Sequence, residues 1–264
     1  MKEEQTPSKQ RNPVARAIDV LGWIADHQGE SWGVRQMARD LEVFPSTVHR
    51  ILQTFVSGGL LGRDDLGGYV VGAELYRICQ LMVGGLSPIK IARPYLEALA
   101  RKVGETILLG MYLPKRHLMV YADSVPAPHP LRYVVELNLP RPVYAGATGL
   151  AIFAFLPEKE RRAVYEQGLR PLTPSTIIEP EQLELELAGI RAKGYARTKA
   201  QRTVGAVGLA APLFDSMNHI FGDVCITIPD QRYEDSNEKH LSDVLKETAQ
   251  EVSEELKRSG YRSG

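Results

Sequence analysis

The chain has 264 residues, 44% hydrophobic and 24% charged, and its 32 basic side chains balance 32 acidic ones. This is the composition of an ordinary globular protein long enough for two domains; no run of about 18 apolar residues predicts a membrane span, and the polar start MKEEQTPSKQRNP lacks a signal-peptide core. The two distant cysteines, Cys79 and Cys225, lack metal-ligand spacing and suit a reducing cytoplasm, while electrical neutrality leaves nucleic-acid binding open, because a local patch can hold phosphate.

Residues 1–10 read as a flexible tail. From Pro13, PVARAIDVLGWIADHQ puts Val14, Ala17, Ile18, Leu21, Ile24 and Ala25 on one helical face, with Gly29 just beyond as a stop signal. A second helix in GVRQMARDLEV buries Val34, Met37, Ala38 and Leu41. Glu42, Val43 and Phe44 separate it from FPSTVHRILQTFVSGGLL, where Pro45 suits a first turn and Val48, Ile51, Leu52, Phe55 and Val56 share a face. Helix, short turn and helix is the helix-turn-helix arrangement. LLGRDDLGGYVVG then predicts two short strands around an Asp64–Gly68 turn, a wing. AELYRICQLMVGGL resumes helical spacing through Leu75, Ile78, Cys79 and Met82 and stops at Gly84–Gly85, as a linker helix would.

The character changes at Pro88. A helix in IKIARPYLEALARKVG leads into strands TILLGMYL and HLMVYADSV, joined by a turn around Pro114–Arg116, and LRYVVEL reads as another strand. ATGLAIFAFL, PEKERRAVYEQG and PEQLELELAGIRAKG predict helices. YARTKAQ, AVGLAAPLFD and IFGDVCITI predict strands, and a helix from about Ser236 to Arg258 ends the chain. Mixed helices and antiparallel strands make this an α+β, sensor-like domain.

Major-groove readout needs a helix whose first turns present hydrogen-bonding groups. Ser46 and Thr47 are placed to donate to phosphate or to cap the helix; His49 and Arg50 reach for bases; the helix N-terminus itself attracts an anion. Arg35 and Arg39 on the preceding helix suit phosphate contacts, and Arg63 and Tyr69 of the wing suit the flanking backbone or minor groove. Asp64 and Asp65 repel phosphate, so the wing is expected to touch DNA through Arg63 rather than its apex. The competing reading is an ordinary helical subdomain with Ser46 a cap and Arg50 solvated.

In YAGATGLAIF, Gly146, Ala147, Thr148 and Gly149 lead into a helix, forming a nest of amides suited to a carboxylate; close packing of helix on strand is the alternative. A nucleotide phosphate loop is not expected, since no Gly-Lys-Ser/Thr follows. The histidines are scattered, Cys225 has no adjacent base, and neither Ser87 nor Ser124 sits in a nucleophile elbow, so no catalytic residue, metal or cofactor is expected.

Several segments carry a family resemblance. ARAIDVLGWIADH, MARDLEVFPSTVHRILQTFVSGGLL and GGYVVGAELYRI resemble the winged domain of IclR-type transcriptional regulators. HPLRYVVELN, PVYAGATGLAIFAFLP, TPSTI, IRAKGYA and GLAAPLFD resemble, in the same order, that family's effector-binding domain. The resemblance spans roughly Pro13 to Leu256. It implies a winged helix-turn-helix domain over 11–72, a linker helix over 73–86 and a GAF-like α/β effector-binding domain over 87–264. It further implies a double-stranded operator of palindromic form, a small organic acid as effector, and homodimers in the cytoplasm, with the choice between dimer and homotetramer left open. Whether the regulator represses or activates stays open, and a sensor acting through protein partners is the rival.

Carried over by position, the pocket would use Tyr133, Arg141, Ala147, Thr148, Thr198, Gly208, Cys225 and Thr227, with Gly149 in the amide nest. The sequence departs from its relatives where Thr198 and Lys199 replace frequent acids, where Gly208 replaces a polar or cysteine-like side chain, and where Arg141 replaces an apolar one. With Tyr133 and Met111 as apolar walls, these departures favour an aromatic or extended carboxylic acid. Arg141 either pairs with its carboxylate or points to solvent, the commoner fate of an arginine beside two prolines.

Overall fold

The computed structural model describes residues 12–27, 29, 31–83 and 87–263. The expected tail at 1–10 and the stop at Gly84–Gly85 lie outside the described residues. Two compact units divide the chain between residues 85 and 86.

In the first unit, α1 (Pro13–Asp26) begins where the Asn12 side chain accepts a hydrogen bond from the Val14 amide at 2.9 Å, with Pro13 filling a helical position that needs no donor. The helices α2 (Val34–Asp40) and α3 (Pro45–Ser57) follow, then the antiparallel hairpin of β1 (Leu61–Arg63) and β2 (Tyr69–Val71), then α4 (Ala73–Val83). One core joins Val20, Trp23, Met37, Val48, Leu52 and Tyr69. The face of α1 differs from the expected one: Val14 (64% exposed) and Ile18 (63%) lie outside, while Val20, Trp23 and Ile24 are buried. Apolar residues surround much of this helix, so spacing did not choose among its faces. Trp23 decides it, donating from Nε1 to Asp40 Oδ2 at 3.0 Å and stacking on His27 with ring centroids 3.9 Å apart.

The second unit contains α5 (Pro88–Val103), β3 (Thr106–Leu113), β4 (Leu118–Val125), β5 (Arg141–Pro142), α6 (Gly146–Phe153), α7 (Glu158–Glu166), α8 (Pro180–Lys193), β6 (Ala196–Lys199), β7 (Ala206–Phe214), β8 (Ile220–Pro229) and α9 (Glu238–Arg258). Its antiparallel sheet has the order β5-β4-β3-β8-β7-β6. Strand alternation gives each face its own core. Leu108, Tyr112, Ala210 and Cys225 pack with α6 and α8, whereas Ile107, Leu109, Leu209 and Ile226 pack with α5 and α9. Among the described residues no helix is long and apolar enough to cross a membrane.

LRYVVEL does not form the expected strand. Its alternation holds, with Tyr133, Val135 and Leu137 turned inward and Val134 81% exposed. Its pairing does not: the edge of β4 is taken by β5, through Leu118↔Pro142 and Met119↔Arg141, leaving the Asn138 amide bonded to the Tyr121 carbonyl at 2.8 Å. The segment is an extended flap over the α6 face of the sheet rather than part of the ladder.

Candidate DNA interface and ligand cavity

The first turns of α3 stand clear of their own unit. Ser46, His49 and Arg50 are exposed and Thr47 is partly so, while Val48, Leu52 and Phe55 bury the opposite side of the helix. Phe44 occupies the N-cap position without a side-chain cap, so Ser46 does not cap the helix. Arg35, Arg39 and Arg50 are exposed and make no ion pair among the described residues. Exposed guanidinium groups on α2 and α3, without ion pairs among the described residues, and a helix start without a side-chain cap are features suited to phosphate and base edges.

Tyr69 corrects the sequence reading. It is 2% exposed, a core residue, so it presents no surface to a duplex. Its hydroxyl instead accepts from Arg63 Nη2 at 2.8 Å, and the Arg63 guanidinium lies 4.5 Å from its ring centroid. Arg63 also donates from Nη1 to the Gly67 carbonyl at 3.1 Å, which fixes this cation against the wing. The same hydroxyl takes Gln53 Nε2 at 3.4 Å, and Gln53 lies 3.4 Å from His49 Nε2, so a polar chain links α3 to the wing. Asp64 is occupied locally. Its Oδ1 accepts from the Gly68 amide at 2.7 Å and the Leu66 amide at 3.0 Å, and the Gly68 bond above all holds its carboxyl below the usual range.

In the second unit a small cavity opens between α6, the flap and strands β6, β7 and β8. Seven expected residues line it: Tyr133, Ala147, Thr148, Thr198, Gly208, Cys225 and Thr227. Thr198 enters by alternation, with its neighbours turned outward: Arg197 bonds Asp235 at 2.7 Å and Lys199 bonds Asp230 at 2.7 Å. Gly208 is required by packing, since a Cβ there would sit 2.9 Å from that of Ala147.

Three expected residues do not line the cavity. Met111 shares the other face of β3 with Ile107 and Leu109 and packs toward α5 and α9. Gly149 serves close packing, where a Cβ would lie 2.5 Å from the Val143 carbonyl oxygen. Arg141 sits behind the wall, donating from Nη2 to Glu136 Oε2 at 3.2 Å, with its guanidinium 5.8 Å from the centroid of the lining Tyr121 ring.

The cation of the cavity is Arg202, which sequence reasoning missed. It lies in the irregular turn between β6 and β7, where no periodicity reports direction. The one available signal was a lone cation four residues beyond Thr198. Its Nη2 donates to the carbonyls of Pro142 and Ala145, the latter at 2.6 Å, and so ties this turn to the start of α6. The residue as a whole is partly accessible, but Nε is sealed from solvent and has no hydrogen-bond partner. Burial, and then repulsion from Arg141, pull its pKa below the usual arginine value; an arginine nonetheless stays charged. An unpaired buried cation is costly and favours a ligand that brings negative charge.

Directly behind the lining lies Asp223, fully buried. Thr148 and the Gly110 amide stand close to it, but neither carboxylate oxygen has a hydrogen bond of proper geometry. Gly110 has no room for a side chain: a Cβ would fall 1.9 Å from Asp223 Oδ1. Desolvation raises the Asp223 pKa well above its ordinary value and outweighs Thr148 and Arg202, which favour the charge. Burial likewise pushes the Cys225 thiol up to about 12, so this sulfur is an inert wall rather than a nucleophile.

The unfolded Asp223 carboxyl loses its proton near 3.8 while the folded one keeps it, so stability falls as pH rises above that value toward the folded pKa. Asp223→Asn removes this cost. It is expected to stabilise the protein at pH 7.5, by up to about 1.4 kcal/mol for each pH unit over which only the folded carboxyl keeps its proton. In urea unfolding at pH 7.5 and pH 4.5, the gap between variant and parent should narrow at the lower pH. An Asn variant no more stable than the parent at pH 7.5 would show that Asp223 is ionised and paired.

Both units are similar to known proteins. Residues 13–65 match the model of the IclR helix-turn-helix domain, and residues 81–254 match that of the bacterial transcriptional regulator IclR C-terminal domain. The DNA-binding transcriptional repressor YiaJ of Escherichia coli is 32% identical over 215 residues, covering 80% of this chain and 76% of YiaJ. The HTH-type transcriptional regulator BhcR of Paracoccus denitrificans is 29% identical over 240 residues, 90% of this chain and 85% of BhcR. The crystal structure of an IclR regulator from Alicyclobacillus acidocaldarius superposes with a TM-score of 0.79 at 25% identity, covering 97% of this chain and 100% of that one. An IclR homologue from Microbacterium hydrocarbonoxydans, solved with 4-hydroxybenzoate, shares the fold at a TM-score of 0.75 and 21% identity, over 94% and 100% of the two chains.

Proposed function

The chain belongs to the IclR family of bacterial transcriptional regulators, and on that premise we propose that it binds a palindromic operator through the start of α3 and senses a small organic acid in the Arg202 cavity. Residues 11–72 are the DNA reader, 73–86 the linker and 87–264 the sensor. Ser46, Thr47, His49 and Arg50 meet the major groove, Arg35 and Arg39 meet phosphate, and Arg63 reaches the flanking backbone. Two copies are needed to read both halves of a palindrome.

The observation that carries the sensor is the unpartnered Nε of Arg202, a donor sealed from solvent on a residue that lines the cavity. An aromatic acid is favoured because Tyr121, Leu108 and Val135 form apolar walls. The crystallised 4-hydroxybenzoate complex of the Microbacterium homologue supports an aromatic carboxylate as one class of ligand for this fold. Effector binding shifts the balance between arrangements of the paired sensors by its difference in affinity for them.

The test of DNA reading is a gel shift of the full chain on the DNA upstream of its own coding sequence. A reader that neutralises about four phosphates should lose roughly a hundredfold in affinity between 50 and 200 mM salt. Absence of a shift at low salt would favour a sensor acting through protein partners.

A further inference from the structure

Three polar atoms that line or close the cavity are sealed from solvent and have no hydrogen-bond partner: Arg202 Nε, Thr148 Oγ1 and Gln201 Oε1. Thr148 is 2% exposed, so bulk water does not satisfy it. Unmade hydrogen bonds inside a protein cost the desolvation of each group, and ligand sites are where such groups are kept. The three differ in kind. Arg202 offers a charged donor, Thr148 a hydroxyl that both donates and accepts, and Gln201 an amide.

A carboxylate satisfies Arg202 and leaves the other two. A second carboxylate is the wrong complement for them, because Thr148 lies against buried Asp223 and no further cation lines the cavity among the described residues. A ketone only accepts and serves Gln201 only through its NH₂. A hydroxyl donates and accepts, so it meets Thr148, or the amide of Gln201 in either orientation. We infer that the effector is a hydroxy monocarboxylic acid, its carboxylate on Arg202 and its hydroxyl on Thr148. This inference rests on the carboxylate-sensor reading above and adds the second group that the ligand must carry.

The test pairs each hydroxy acid with its parent in calorimetry on the full chain: 3- and 4-hydroxybenzoate with benzoate, 3-hydroxybutyrate with butyrate, and lactate with propionate. Terephthalate and succinate serve as dicarboxylates. The hydroxy member of at least one pair should bind ten-fold or more tighter than its parent. Thr148→Val should reduce that ratio to near one while retaining parent-acid affinity, and Arg202→Met should weaken both members together. A parent acid or a dicarboxylate that binds as tightly as the best hydroxy acid overturns the inference and leaves the carboxylate sensor standing. So does a ratio unchanged in Thr148→Val, whatever Gln201→Ala does. If no acid binds, or if Arg202→Met binds the acids as the parent protein does, the carboxylate reading falls and this inference with it.

Discussion

Arg202→Met is expected to weaken binding of the best carboxylate in that panel by about 2–5 kcal/mol, roughly 30-fold to several thousandfold, the loss seen when one partner of a buried charged pair is truncated. The fold should survive. The guanidinium is buried without a bonded carboxylate, so replacing it by an apolar chain of similar length removes a desolvation cost while losing the bonds to Pro142 and Ala145. Arg202→Lys separates charge from geometry, since a lysine retains the cation but loses the planar fork. Arg141→Ala is the contrast. Its side chain pairs with Glu136 outside the lining, so acid affinity should change little. If Arg141→Ala proves the more damaging of the two in calorimetry, the cation has been assigned to the wrong residue.

Arg50→Ala should cost about 1–3 kcal/mol on the specific operator if the side chain reads a base. Its guanidinium is exposed and has no ion pair among the described residues, so truncation removes little from folding, and alanine favours a helix. On random duplex the loss should be small, because a base contact contributes only where its base is present. Equal losses on operator and random DNA in fluorescence anisotropy would make Arg50 a phosphate contact. Arg63 is a different kind of cation, held by Tyr69 and Gly67 before any DNA arrives.

How far the sequence could be read depended on whether a residue's direction is set by a repeating backbone. The period of α3 separated Val48 and Leu52 from Arg50, and the period of β6 separated Thr198 from Arg197 and Lys199; both follow from local geometry. The same rule, applied to β3, would have removed Met111, since Leu108 faces the cavity and a residue three positions along a strand faces away. Tyr69 begins a wing strand, a position that suits DNA contact, whereas its backbone bridges Trp32 and its ring is buried in the core. LRYVVEL showed the right alternation, but whether an edge is free for pairing is a tertiary fact. Arg202 was the least legible, because nothing within residues 200–205 reports that the carbonyls of Pro142 and Ala145 will draw it inward.

Both halves of the account meet in one quantity, the operator affinity of the full chain with and without saturating acid. Coupled sites change each other's affinity by roughly 5- to 150-fold, in either direction. A change of at least five-fold is expected in the parent protein, and none in Arg202→Met at the same acid concentration. An acid that saturates the cavity in calorimetry and leaves operator affinity unchanged would contradict the proposal that this cavity governs DNA binding.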